Sequence, residues 1–260
     1  MPISNDLINQ KKTELRQKLH DALASANPED IINAMMSLGE DIEQRVCKEY
    51  EEMGQERDEQ VLAARGKRLL TAEELTNVYL NEMRRDFPAG ELKPLSMILN
   101  SEAAGTAHTW GVYEDDALVA YLLMVRPVGC EVSQLDYFAV LPQYRAGGIG
   151  AALLAALPDH EKGAQAILIE AECPEKAEDE AMAVRRLGFY ARCGAKDTGW
   201  TEHLFDAWFR VLVLPCCGGK VRSPEEAVRQ LADCYRRTMG EPQWRRNVTF
   251  YRPDGVEVEL

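Results

Sequence analysis

The sequence has 260 residues, a formal net charge of −13, and 46% hydrophobic and 28% charged residues. This is the balance of an ordinary soluble protein, with length for one large domain or two modest ones. The acidic excess argues against a general nucleic-acid binder, which needs a cationic face toward phosphates; it aids solubility and attracts amines. The N-terminal "MPISNDLINQKKTELRQKL" is charged throughout and lacks the apolar core and cleavage site of a secretory signal, and no apolar run reaches membrane-spanning length. Cys47, Cys130, Cys173, Cys193, Cys216, Cys217 and Cys234 form no C-x-x-C pair, and the four histidines show no metal spacing. These features predict a cytoplasmic protein with reduced thiols and no structural metal.

Two helices are expected first. One carries Leu7, Leu15, Leu19 and Leu23 on one face; the other, capped at Asn27-Pro28, carries Ile31, Met35, Leu38, Ile42 and Val46. Their apolar stripe is too thin for an independent core, so this segment is expected to pack on something or to self-associate. Arg65-Gly66-Lys67-Arg68 reads as a boundary, giving a helical extension over 1–66 and a second domain over 67–260. Thr71 and Glu74 then stand at capping-box spacing before a helix with Leu75, Val78, Tyr79 and Met83. "AHTWGVYEDDALVAYLLMV" reads as a hairpin turning at Asp115-Asp116, and "EVSQLDYFAV" as a third strand. A helix from Gly148 to Leu157, a strand "AQAILIEAE", a helix closed by Gly194, a strand "DAWFRVLVLP" and a helix between Ser223-Pro224 and Gly240 complete the reading. The order predicts an α+β fold, a mixed sheet with helices on its faces.

The loop between the third strand and its helix, "LDYFAVLPQYRAGGIGAALL", is the richest stretch. A P-loop would need a lysine followed by a hydroxyl residue, which is missing. The dinucleotide fingerprint fails at Leu153, where close helix–strand packing needs a small residue. What fits is [R/Q]-x-x-G-x-[G/A], as Arg145-Ala146-Gly147-Gly148-Ile149-Gly150. Backbone N–H groups at Gly148 and Gly150 can approach phosphate oxygens, and the helix N-terminus adds partial positive charge. With Phe138-Ala139-Val140-Leu141-Pro142 before it and Phe189-Tyr190-Ala191-Arg192-Cys193-Gly194 after it, residues 67–260 resemble the GNAT-type N-acetyltransferase superfamily.

The resemblance implies a mostly antiparallel, twisted sheet flanked by helices, with acetyl-CoA as cosubstrate. Phe138, Ala139 and Val140 would face the pantetheine, and Arg145, Ala146, Gly147, Gly148, Ile149 and Gly150 would cradle the pyrophosphate. Tyr190 matches the tyrosine that protonates the departing thiolate. The base is open among Asp136, Glu170 and Glu172. Asp136 shares a face with Gln134 and Phe138 by strand alternation, and Gln134 stands where many members carry a glutamate. Pairing of these acids with Arg185 or Arg186 is the competing explanation. Ala183 replaces a common asparagine. The implied reaction is acetyl transfer to a primary amine of a small molecule or peptide, by direct attack on the thioester. The alternative is a non-catalytic acyl-CoA-binding or interaction module on the same scaffold. Cys216-Cys217-Gly218-Gly219 has no nearby histidine and reads as a loop, and His108, His160 and His203 as surface or capping groups. Residues 1–66, ending "VLAARG", loosely resemble the helical N-terminal region of tailed-phage major capsid proteins and suggest a homo-oligomer formed through these helices.

Overall fold

The computed structural model describes residues 58–63, 65–216 and 223–260, together with Thr13 and Gln17. Two compact units are present, Met1–Arg57 and Asp58–Leu260. Thr13 and Gln17 are helical, and the rest of the two helices expected before residue 58 lies outside the described residues. In the second unit, Val61 and Leu62 pack on the cluster of Val112, Ala120, Ile149 and Leu153, and Arg65 reaches Glu114 at 3.1 Å.

Strand β1 (Gly66–Leu69) leads into helix α1 (Ala72–Val78), a π turn over Tyr79–Met83, and the short α2 (Arg84–Asp86). Both halves of the expected capping box form: Thr71 Oγ1 accepts from Glu74 N at 3.3 Å, and Glu74 Oε2 accepts from Thr71 N at 2.9 Å. After α3 (Leu95–Ala103) comes the hairpin of β2 (Ala107–Glu114) and β3 (Ala117–Val125), turning at Asp115 with φ +52°. Then follow β4 (Val132–Val140), α4 (Ile149–His160), β5 (Ala166–Glu172) and α5 (Glu180–Arg192). The chain ends with β6 (Lys196–Leu204), β7 (Ala207–Pro215), α6 (Pro224–Met239), α7 (Glu241–Asn247), β8 (Val248–Tyr251) and β9 (Glu257–Val258).

The strands make one sheet in the order β1-β2-β3-β4-β5-β7-β6-β8-β9, antiparallel at every pair except β4–β5. That pair is parallel because α4 carries the chain back across the sheet between its two members. One face is covered by α4 and α5 over Leu122, Met124, Leu135, Ile167 and Ile169. The other is covered by α1–α3 over Tyr121, Leu123 and Tyr137, and by α6 and α7 over Val132, Leu168 and Val211. Buried on both faces, β5 reads as the unbroken apolar run Ala166-Ile167-Leu168-Ile169.

The α+β sheet and the punctuated helices agree with the sequence. Strands β1, β6, β8 and β9 and helices α3 and α7 were not foreseen. In β6, "KDTGWTEHL", most letters are polar and Gly199 sits at a bulge with φ +76°, so alternation is masked.

A second bulge bears on function. Leu123 pairs with Tyr137 and Met124 with Leu135, which leaves Asp136 as the extra residue of β4. The alternation therefore changes face at that point. Gln134 bonds to Tyr235 of α6 on one side, whereas Phe138 packs toward Gly150 and α4 on the other. The expectation that Asp136, Gln134 and Phe138 share a face is thus corrected, because strict period-two reading holds only within an unbulged strand.

Candidate active site

Pairing between β4 and β5 ends at Leu135↔Ile169. Beyond it β4 stays with β3 up to Val140, and β5 stays with β7 up to Glu172. The two strands separate, and Asp136–Val140 face Glu170–Glu172 across a cleft of about 1710 Å³. This exceeds the ~300–1,000 Å³ of an ordinary small-ligand pocket, leaving room for two reactants. The inner edge of β4 there offers backbone N–H and C=O groups that β5 does not claim.

One end of the cleft is closed by the glycine loop. A short 3₁₀ turn over Pro142–Tyr144 is followed by Arg145, whose Nε donates to the Val140 carbonyl at 2.9 Å. Its Nη2 lies 3.8 Å from Asp86 Oδ1, while Asp86 Oδ2 accepts from Tyr121 Oη at 2.9 Å. Gly148 caps α4 with φ +79°, a left-handed conformation that suits glycine. The first-turn N–H groups of Ile149, Gly150 and Ala151 have no carbonyl partner within the helix and open a positive dipole end. Gly150 has a separate reason to be glycine. A Cβ there would stand 3.2 Å from Phe189 Cζ and 3.4 Å from Val140 Cγ2, so α4 packs too closely on β4 and α5 for a side chain. Gly150→Val is therefore expected to lose about 1–3 kcal/mol by overpacking. A lowered denaturation midpoint at unchanged slope is the check.

Tyr190 lies on α5, whose N-cap Asp179 accepts from Met182 N at 2.9 Å. Its ring packs beside Phe189 at 5.4 Å between centroids, on the cluster that includes Leu135 and Ile169, and it lines the cleft. Burial pushes the phenol up to about 12 against the opposing pull of the Arg186 charge, so it stays protonated across the physiological range. Ala183, two turns earlier, is wholly buried.

The acids fall into distinct environments. Asp136 receives Lys93 Nζ at 2.6 Å on Oδ1, while its Oδ2 is buried without a donor. Glu170 accepts Tyr235 Oη at 2.5 Å and a bond from Gln134 Nε2. Glu172 pairs with Arg186 at 3.0 Å, so the arginine pairing considered for all three acids holds for this one. Behind Glu170 lies Glu202 of β6, fully buried, with neither oxygen receiving a donor. Burial, and then the charge of Glu170, push its carboxyl well above the ordinary range; protonated, it donates to Glu170. Glu91 is also raised, first by burial and then by the Glu172 charge.

Lys93, Tyr235 and Glu202 were missed by sequence reasoning. Tyr235 lies on the apolar face of α6 and reads as core, Glu202 belongs to the unforeseen β6, and nothing in the sequence singles out Lys93. The histidines fill local roles: His108 bonds Glu161 at 3.0 Å, His160 meets Lys67, and His203 stacks on Trp208 at 4.6 Å. Cys130, Cys173 and Cys234 are free thiols, whereas Cys47 and the Cys217-Gly218-Gly219 segment lie outside the described residues. Among the described residues no helix is long and apolar enough to cross a membrane.

Residues 105–194 match the model of the acetyltransferase (GNAT) domain. The matched stretch runs from the hairpin through the glycine loop to Gly194. A protein from Bacteroides thetaiotaomicron assigned to the GNAT family shares the fold, with a TM-score of 0.51 and 21% identity over 68% of this chain and 99% of that one. The ribosomal-protein-S18-alanine N-acetyltransferase of Escherichia coli aligns with a TM-score of 0.46 and 17% identity, covering 61% of this chain and 97% of its own. Spermidine N-acetyltransferase from Vibrio cholerae, in complex with CoA and spermine, aligns at 0.45 and 10% identity, covering 59% and 96%. No curated protein matches the sequence. Nothing in these matches supports the phage-capsid resemblance of residues 1–66.

Proposed function

We propose that the chain is an N-acetyltransferase that takes acetyl groups from acetyl-CoA and passes them to a primary amine by direct attack on the thioester. The observation that carries this reading is the splayed β4–β5 end opening onto a helix N-terminus, with a protonated phenol and carboxylates among the residues that line it. The residues fit the cosubstrate. Ile149, Gly150 and the loop from Arg145 to Gly148 present N–H groups and a cation to a pyrophosphate. Phe138, Ala139 and Val140 supply an unpaired strand edge suited to the amides of a pantetheine arm. Bound there, the cosubstrate supplies an activated acetyl thioester.

The chain's own groups manage the protons. A primary ammonium with a pKa near about 10.4 must shed a proton before it can attack. Asp136, with one oxygen free of donors, can accept it, and Glu170 is a second candidate among the carboxylates of the cleft. Tyr190, holding its proton, can deliver it to the leaving sulfur. The acidic acceptor side, with Glu91, Glu170 and Glu172, favours cationic amines. The same proposal gives a catalytic domain over 67–260, a cytoplasmic setting, and a helical extension over 1–66 that mediates self-association; Val61 and Leu62 of that extension pack on the domain.

A thermal titration with acetyl-CoA tests the cofactor half. A ligand at a hundredfold its Kd stabilises by about 2.7 kcal/mol, so a clear rise in Tm is expected. No shift at millimolar ligand would sink the proposal. A shift without thiol release across a panel of polyamines, aminoglycosides, amino acids and peptides would favour the non-catalytic module, the reading to which Gln134 in place of a strand carboxylate lends weight.

A further inference from the structure

Lys93 has a position that the fold by itself does not require. It sits on the loop between α2 and α3, and among the described residues it is the one lysine lining the cleft. Its backbone is tied down on both sides. Tyr137 Oη receives the Lys93 N–H at 2.8 Å and donates to the Glu91 carbonyl at 2.8 Å, while Tyr79 Oη donates to the Lys93 carbonyl at 3.0 Å. Thus anchored, the side chain points at the bulged residue of β4 and brings Nζ to 2.6 Å from Asp136 Oδ1; it is only 21% exposed. Its charge also acts on Glu202, opposing the upward push of burial on that carboxyl. A primary amine of this chain therefore stands where the acceptor's amine stands in the reaction proposed above.

We propose that Lys93 is itself an acetylation site, modified within its own chain by acetyl-CoA held in the cleft. This rests on the acetyltransferase reading. The Lys93 Nζ lone pair forms a bond to the thioester carbonyl carbon, and the carbon–sulfur bond breaks. Of the ammonium's three protons, one passes to Asp136, one ends on the coenzyme A sulfur, and one stays on the amide nitrogen. The product has lost the charge that pairs with Asp136 and carries an acetyl amide in the acceptor's place, so the modified chain closes its own acceptor subsite.

Incubating the full chain with acetyl-CoA and no amine, followed by peptide mapping by mass spectrometry, is the test. Lys93 should acquire one acetyl group well ahead of Lys67, Lys162, Lys176 and Lys196, with stoichiometric thiol release at a rate independent of protein concentration. Asp136→Asn should slow modification of Lys93 by at least about tenfold without altering the other lysines, and Lys93→Arg should leave position 93 unmodified, since a guanidinium keeps its proton. If acetyl-CoA shifts Tm and added amines release thiol while Lys93 stays unmodified, this inference falls and the acetyltransferase reading stands. If acetyl-CoA does not bind at all, both fall. Acetylation of Lys93 no faster than of exposed lysines, or equally fast in Asp136→Asn, is chemical acylation and overturns it as well.

Discussion

Tyr190→Phe is expected to lower kcat by about 10²-fold or more, with little change in the affinity for acetyl-CoA. Loss of a positioned general acid costs about 10²–10⁴-fold. The substitution deletes one oxygen from a ring whose packing beside Phe189 and Leu187 is unchanged, so the fold should tolerate it. The phenol is held up to about 12 chiefly by burial, which means that wild-type activity should lose its proton donor only at strongly alkaline pH. Steady-state kinetics beside a cofactor titration separate the two effects. An unaltered kcat would remove Tyr190 from the mechanism, and a parallel loss of binding would reassign it to packing.

Glu202 should show the largest effect on stability. As a buried neutral acid it gives a hydrogen bond to Glu170, which also receives Tyr235 and Gln134. Glu202→Gln keeps a donor of nearly the same shape and is expected to stay within about 1 kcal/mol of wild type. Glu202→Ala removes the donor and opens a cavity, for an expected loss of about 2–4 kcal/mol. The sign of the pH dependence follows from the raised folded-state pKa. The unfolded chain releases this proton in the ordinary carboxylate range, whereas the folded chain retains it. Stability from this group is full below the unfolded pKa and is lost as pH rises toward the folded value. Denaturation midpoints across that window should therefore fall with rising pH in wild type and fall less steeply in Glu202→Gln. Equal slopes in the two proteins would mean that Glu202 is ionised in the fold.

Several elements that frame the candidate site were legible in the sequence because they are local. Thr71 and Glu74 cap a helix across three residues, Asp115-Asp116 turns a hairpin, and the run from Phe138 to Gly150 contains a strand, a turn and a helix start. Local backbone geometry and short-range hydrogen bonding fix such features, so residue spacing carries them. The direction of the acids was not local. Asp136 was expected to sit beside Phe138 until the pairing of Tyr137 with Leu123 and of Leu135 with Met124 left it at a bulge, which puts Gln134 and Phe138 on opposite faces. A bulge is a property of two strands in register, and one strand's letters do not encode it.

The sequence by itself determined the α+β class and the helix punctuation, and it singled out Arg145–Gly150 as a candidate phosphate cradle whose dinucleotide reading fails at Leu153. Only the tertiary structure decided which groups meet in the cleft. Lys93, Asp136, Glu170 and Tyr235, with Glu202 behind Glu170, come from a loop, three strands and a helix, and burial followed by the charge of Glu170 raises both Glu202 and Tyr235. Burial of a charge is a sum over everything packed around it. That sum exists only once the sheet has closed and α6 has been laid across it.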